Sequence, residues 1–151
     1  MQSAVSAVAG RNRGLFALIA VLALAGAIVS AVSLERHYAK SATDFCDFSQ
    51  KFSCDIVNRS QYSTVADIPV AAIGVAGYAL LFLLATLWKS RAETPSRLML
   101  AALAGLAFAL YLSSIEAYQL RTWCILCLSS QFLIFSIAVL SVAIKWRAAR
   151  S

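Results

Sequence analysis

Hydrophobic and polar positions in this chain come in blocks rather than in alternation. Four long apolar runs occupy residues 14–34 (GLFALIAVLALAGAIVSAVSL), 68–88 (IPVAAIGVAGYALLFLLATLW), 97–118 (RLMLAALAGLAFALYLSSIEAY) and 124–144 (CILCLSSQFLIFSIAVLSVAI). One long polar loop, residues 35–67, separates the first run from the second. A helix of about 20 residues rises about 30 Å, the thickness of a bilayer's hydrocarbon core. Backbone exposed to lipid must satisfy its own hydrogen bonds, so each run predicts a helix. The pattern therefore predicts one all-α integral membrane domain over residues 1–151, a four-transmembrane-helix bundle with a cysteine-bearing extracytoplasmic loop. Arg11 and Arg13 precede the first run as they would in a signal peptide. The run exceeds a typical apolar signal core of about 7–15 residues, and no convincing small-x-small cleavage site follows, so it is read as a retained span.

Composition agrees. Apolar residues make up 61% of the chain and charged residues 13%, against about 45–50% and about 25% in soluble domains. The net charge is +6. That balance does not point to nucleic acid, because the basic residues sit in short flanks between apolar runs and form no basic face. Arg11, Arg13, Lys89, Arg91, Arg97, Lys145, Arg147 and Arg150 collect on one side of the predicted membrane; Arg36, Lys40, Lys51, Arg59 and Arg121 collect on the other. The excess of basic residues predicts that the first side, with both termini, faces the cytoplasm. The loop 35–67 and the turn 119–123 then lie outside, in an inner (plasma) membrane protein.

This topology gives the cysteines their meaning. Cys46 and Cys54 fall in the outer loop, and Cys124 and Cys127 fall where the fourth run enters the membrane from the same side. All four face the compartment where disulfides persist. In a helix, residues three apart share a face. If the helix begins near Trp123, Cys124 sits at the water interface and Cys127 about 4.5 Å deeper. The free N–H groups and positive dipole end of the helix favour a thiolate, the form that attacks disulfides. A redox pair is the reading this position suits. A static disulfide, two small buried residues, or a four-cysteine zinc site are the alternatives, although Cys46 and Cys54 are spaced more widely than a usual zinc pair. There is no Walker, Rossmann or His-rich metal motif.

The outer-loop stretch CDFSQKFSC, the following Ser60, the IPVAAIG…Y segment entering the second run and the WCILC at the head of the fourth together resemble the vitamin K epoxide reductase family. The resemblance covers about residues 14–145. It implies a four-helix bundle around a membrane quinone, ubiquinone or menaquinone, with the outer loop closing over it. It implies that Cys124 and Cys127 are the catalytic pair, with Cys127 next to the quinone ring. Cys46 and Cys54 become a shuttle pair, Cys54 exchanging with Cys124 and Cys46 with an external partner. Ser60 would lie near the quinone. Vertebrate members hold the quinone oxygens with an Asn and a Tyr at positions that correspond here to Val70 and Gln131. Gln131 can still donate a hydrogen bond and Val70 cannot, which fits quinone reduction better than epoxide reduction. The chain ends at Ser151 without the thioredoxin-like domain fused to many bacterial relatives, so the implied partner is a separate DsbA-like thioredoxin-fold protein. A DsbB-type quinone reductase does similar work, but its Cys-x-x-C precedes its second pair, the reverse of the order here.

The remaining candidates have plainer readings beside the functional ones. Gly74 and Gly77 suit helix packing or room for a flat quinone ring. Tyr78 suits an interfacial aromatic belt or a quinone contact. His37 reads as an interfacial polar residue more than a base. Glu116 lies near enough the end of its run to be solvated. Ala101, Ala104, Gly105, Ala107 and Ala109 suit close helix packing, and Pro69 suits the first turn of the second helix.

Overall fold

The structure is a computed structural model that describes residues 10, 12–38, 47–49, 52–53, 64–65, 67–87, 93–115, 117–118 and 125–150. Four helices dominate: α1 (Arg13–Tyr38), α2 (Val70–Thr86), α3 (Thr94–Ile115) and α4 (Ile125–Arg150). Between α1 and α2 lie two short antiparallel pairs, β1 (Asp47–Ser49) with β2 (Phe52–Ser53), and β3 (Thr64–Val65) with β4 (Ile68–Pro69). The chain is thus an all-helical membrane bundle with small pairings confined to its loop. Segments of α1, α3 and α4 are each long and apolar enough to cross a bilayer, while α2 is a shorter apolar helix of 17 residues.

The second run departs most from expectation. Its first two residues pair with β3, and Pro69 stands at the N-cap of α2 rather than in its first turn. Proline ends the pairing because it has no N–H to donate onward, and its fixed φ launches the helix at Val70. The turn before it needs a left-handed residue, and Asp67 takes that conformation at φ 67°, which a short polar side chain tolerates. The other helices shift by a few residues. α1 and α4 extend past the predicted 34 and 144 because their polar ends continue the helix into water, whereas α3 begins at Thr94 and stops at Ile115, before the predicted 118.

Buried positions reveal how the bundle closes. From Asn12, just before α1, they run through Phe16, Ile19, Ala23, Gly26, Ser30 and Ser33 at alternating steps of four and three, with Ala20 buried beside that line. That spacing keeps one narrow seam inward, as in left-handed helix packing. On α4 the inward positions Ile134, Ile137, Ser141 and Ile144 follow the same rule. The opposite faces carry exposed Leu18, Val21, Leu24 and Ile28 on α1, and Phe132, Phe135 and Val139 on α4, as lipid contact requires. α1 packs against both α2 and α4, α3 packs against α4, and α2 and α3 are the loosest neighbours among these.

One end of the bundle is basic. Arg147 Nη1 donates to Asn12 Oδ1 at 3.4 Å, joining the end of α4 to the start of α1. Lys145 Nζ donates to Ser96 Oγ at 2.7 Å, joining α4 to the start of α3. Arg150 lies over the Trp146 ring, 4.3 Å from its centroid, and Arg97 pairs with Glu93. The described members of the predicted cytoplasmic set therefore gather at one end. The first turns of α2 and α4 lie at the other, called below the cysteine end.

Candidate active site

Loose packing between α2 and α3 leaves a space inside the bundle. It is a cavity of about 440 Å³ with walls from all four helices. Its size lies in the range of about 300–1,000 Å³ common for small-molecule sites. Small side chains create it: Gly74 and Gly77 on α2 face Ala101, Ala104 and Gly105 on α3. Gly77 and Ala104 are exposed while lining the cavity, so the space reaches the lipid-facing surface along the α2–α3 seam. Most of the wall is apolar, and the polar exceptions are few: Ser30, Ser33, Ser113, Ser130, the Tyr78 hydroxyl and the Cys127 thiol.

Cys127 is the chemically decisive member. It is the third residue of α4 as described, half-buried, and a free thiol among the described residues. Its place on the cavity wall comes from the α4 seam: positions 127, 130, 134 and 137 continue the steps of three and four that face inward. A thiol in a helix's first turn is thereby presented to an apolar intramembrane space. Residues 17–142 match the vitamin K epoxide reductase family. The chain belongs to that family. Individual curated proteins give no match. Members of the vitamin K epoxide reductase family are quinone-linked thiol oxidoreductases, and this multi-pass membrane chain shares that general chemistry.

The cavity suits a quinone on its own terms. A quinone head is a flat apolar ring with carbonyl oxygens at its edge, and this wall is apolar with a few hydroxyls. When bound, a quinone supplies a two-electron, two-proton acceptor soluble in lipid.

The other candidates fall in three groups. Gly74 and Tyr78 line the cavity with Cys127. Gly74 lets α1 approach closely: a Cβ there would stand 2.7 Å from Ser30 Oγ and oblige the Ser30 side chain to shift. Tyr78 is no interfacial belt residue, because it is only 5% exposed and sits within the bundle. Its hydroxyl donates to the Ser130 carbonyl at 2.7 Å and lies 2.8 Å from Ser130 Oγ, which can return its own proton to Tyr78 Oη. Gln131 stands beside the cavity lining and accepts a hydrogen bond from Ser113, the residue that faces the space. Val70 lines the cavity, where its side chain offers no hydrogen bond. Cys46, Cys54, Ser60 and Cys124 lie outside the described residues, as does Glu116, and so does the side chain of His37. Three of the four cysteines of the zinc alternative are therefore outside them too.

The sequence reading passed over four serines that line the cavity: Ser30, Ser33, Ser113 and Ser130. Serine is tolerated in apolar spans, so nothing in the sequence alone distinguished these four as inward-facing. Tyr78→Phe should cost about 0.5–1.5 kcal/mol, the usual worth of one hydrogen bond. Denaturation of the purified variant beside wild type checks this, and an unchanged midpoint would show that the Tyr78–Ser130 contact contributes nothing.

Proposed function

We propose that this protein re-oxidises a separate DsbA-like, thioredoxin-fold protein outside the membrane and passes the electrons through two cysteine pairs to a membrane quinone, supporting disulfide-bond formation. The observation that carries this reading is the placement of Cys127 on the wall of an apolar intramembrane cavity, at the end of the bundle opposite its basic end. The basic end is assigned to the cytoplasm by the excess of Lys and Arg, which puts the cysteines in the oxidising compartment.

Each step of the relay is a thiol–disulfide exchange. A thiolate of the partner attacks the Cys46–Cys54 disulfide and forms a mixed disulfide. The partner's second thiol resolves it, leaving the partner oxidised and Cys46 and Cys54 reduced. Cys54 then attacks Cys124 of the Cys124–Cys127 disulfide and releases Cys127 as the thiolate. Cys46 attacks Cys54 in turn, restoring the shuttle disulfide and freeing Cys124. Cys127 and Cys124, now a dithiol, hold two electrons and two protons beside the cavity. The shuttle assignment follows the family resemblance; in sequence, the β1–β2 pairing lies between Cys46 and Cys54. Two pairs serve because the electron donor is in water and the acceptor is in lipid. Val70 on the cavity wall offers no hydrogen bond, so quinone reduction is favoured over vitamin K epoxide reduction.

The test uses purified protein in proteoliposomes, with quinol formation as the readout and two electron donors: a reduced thioredoxin-fold oxidase and a small dithiol. Cys46→Ala is expected to lose turnover with the protein donor and to retain it with the small dithiol, which can reach Cys124 directly. Equal loss with both donors would sink the shuttle assignment. No quinol with either donor in the wild type would leave a membrane scaffold with structural disulfides. A membrane-impermeant maleimide, applied to reduced, right-side-out cells, should label Cys46; labelling only after permeabilisation would reverse the orientation.

A further inference from the structure

Two hydroxyls on the cavity wall take no part in the relay. Ser30 and Ser33 are each only 6% exposed, and both line the cavity from α1. Serine in an apolar helix commonly folds its hydroxyl back onto the carbonyl one turn earlier. Ser129, Ser136 and Ser141 on α4 do so, at 2.8, 2.9 and 2.7 Å. Among the described residues, Ser30 and Ser33 make no such bond and face the cavity instead. Among the described residues their hydroxyl oxygens are not sealed in the core, where the unpartnered buried atom is Asn12 Nδ2; they open onto the cavity, where a ligand oxygen can complete their hydrogen bonding.

Their depth in the bundle follows from Tyr78. Its ring lies against Gly26 of α1, and its hydroxyl reaches Ser130 of α4. Positions 26, 78 and 130 therefore mark one level. Toward the cysteine end, α1 reaches Ser30 and α2 reaches Gly74 in four residues, and α4 reaches Cys127 in three. Each step is about 4.5–6 Å along the axis. The close approach of Ser30 Oγ to Gly74 confirms that these two share a level. Ser30 and Cys127 thus stand at about the same depth on different walls, with Ser33 one turn nearer the cysteine end.

We propose that Ser30 and Ser33 form the oxygen-binding edge of the quinone site, hydrogen-bonding a ring oxygen of a quinone seated beside Cys127. The proposal rests on the quinone reading above. A quinone carbonyl only accepts hydrogen bonds, whereas the hydroxyl of the reduced form also donates. A serine hydroxyl does either by rotating about its C–O bond. The pair therefore serves both redox forms without rearrangement of the helices. Gly74 protects this arrangement, since any side chain there would press on the Ser30 hydroxyl.

The test is an infrared measurement on protein in lipid nanodiscs with bound decylubiquinone, isotope-labelled at each carbonyl carbon in turn. In wild type, one carbonyl stretch should lie below its frequency in free quinone. In the Ser30→Ala, Ser33→Ala double variant that band should return toward the free value. The quinone dissociation constant should rise about tenfold, the worth of one to two hydrogen bonds. Ser33→Thr, which keeps a hydroxyl, should retain the lowered band, and Ser136→Ala, whose hydroxyl bonds its own helix, should change nothing. An unshifted wild-type band, or one the double variant leaves in place, overturns the proposal for the serines. If quinone still binds and its reduction still needs Cys127, the quinone reading survives that result. If decylubiquinone neither binds to nor is reduced by wild type, the quinone reading fails and the proposal goes with it.

Discussion

Cys127→Ala is expected to reduce quinol formation by at least about 10³-fold, the scale of loss when a reacting nucleophile is removed. The site predicts little accompanying damage to the fold. Cys127 is half-buried, makes no hydrogen bond among the described residues, and faces a cavity rather than a packed core. Truncation there removes one sulfur from an already open space. The loss should appear as kcat, since the quinone's other wall contacts remain. A second readout separates relay failure from general disruption. With Cys127 absent the Cys124–Cys127 disulfide cannot form, so after treatment with a reduced partner Cys46 and Cys54 should stay as thiols, visible by mass spectrometry after alkylation. Substantial turnover in Cys127→Ala would place the electron exit elsewhere.

Gly26→Ala is expected to destabilise the bundle by about 1–3 kcal/mol, the range for overfilling a packed interior. An added Cβ would overlap the Tyr78 ring. The neighbour that must yield is an aromatic ring fixed at its far end by the Ser130 carbonyl at 2.7 Å. The ring cannot swing aside without losing that bond, and its movement would intrude on the cavity that Tyr78 lines. Reduced stability should therefore come with weaker quinone binding. Gly14→Ala is the matched control on the same helix. A Cβ at Gly14 meets nothing within 4 Å, and alanine is the better helix former by about 0.5–1 kcal/mol, so that variant should be neutral or slightly stabilised. Denaturation midpoints of the two variants compared with wild type decide the matter. Equal behaviour would mean that the α1–α2 contact is not as close as described.

The sequence by itself determined the existence of the four helices, their approximate ends and the class of the protein. Long uncharged runs admit few other solutions in a bilayer, where an unpaired peptide group is costly. The family, too, was legible, because the cysteine spacing and the segments around it are local features that survive reading in one dimension. The small errors had local causes. Ile68 and Pro69 read as helix because they are apolar and contiguous with a helical run, yet the turn at Asp67 pairs them with β3.

Only the tertiary structure decided which face of each span is inside. In a soluble helix the apolar face announces the core, but here lipid and protein interior are equally apolar, so Leu24 and Ala23 carry no distinguishing signal. The seam at steps of three and four emerges only once neighbours are in place. Tyr78 shows the consequence. An aromatic residue with a hydroxyl reads as an interface anchor, yet it lies inside the bundle because Gly26 leaves room for its ring and the Ser130 carbonyl accepts its hydrogen bond. The cavity is likewise a property of four helices together. Gly74, Gly77 and Ala104 look like packing residues on their own spans, and they become a quinone-sized space because α2 and α3, unlike the other contacting pairs, do not close upon each other. Ser30 and Ser33 gain their meaning the same way, since a serine in an apolar run is unremarkable until the structure shows that it lines the same space as Cys127.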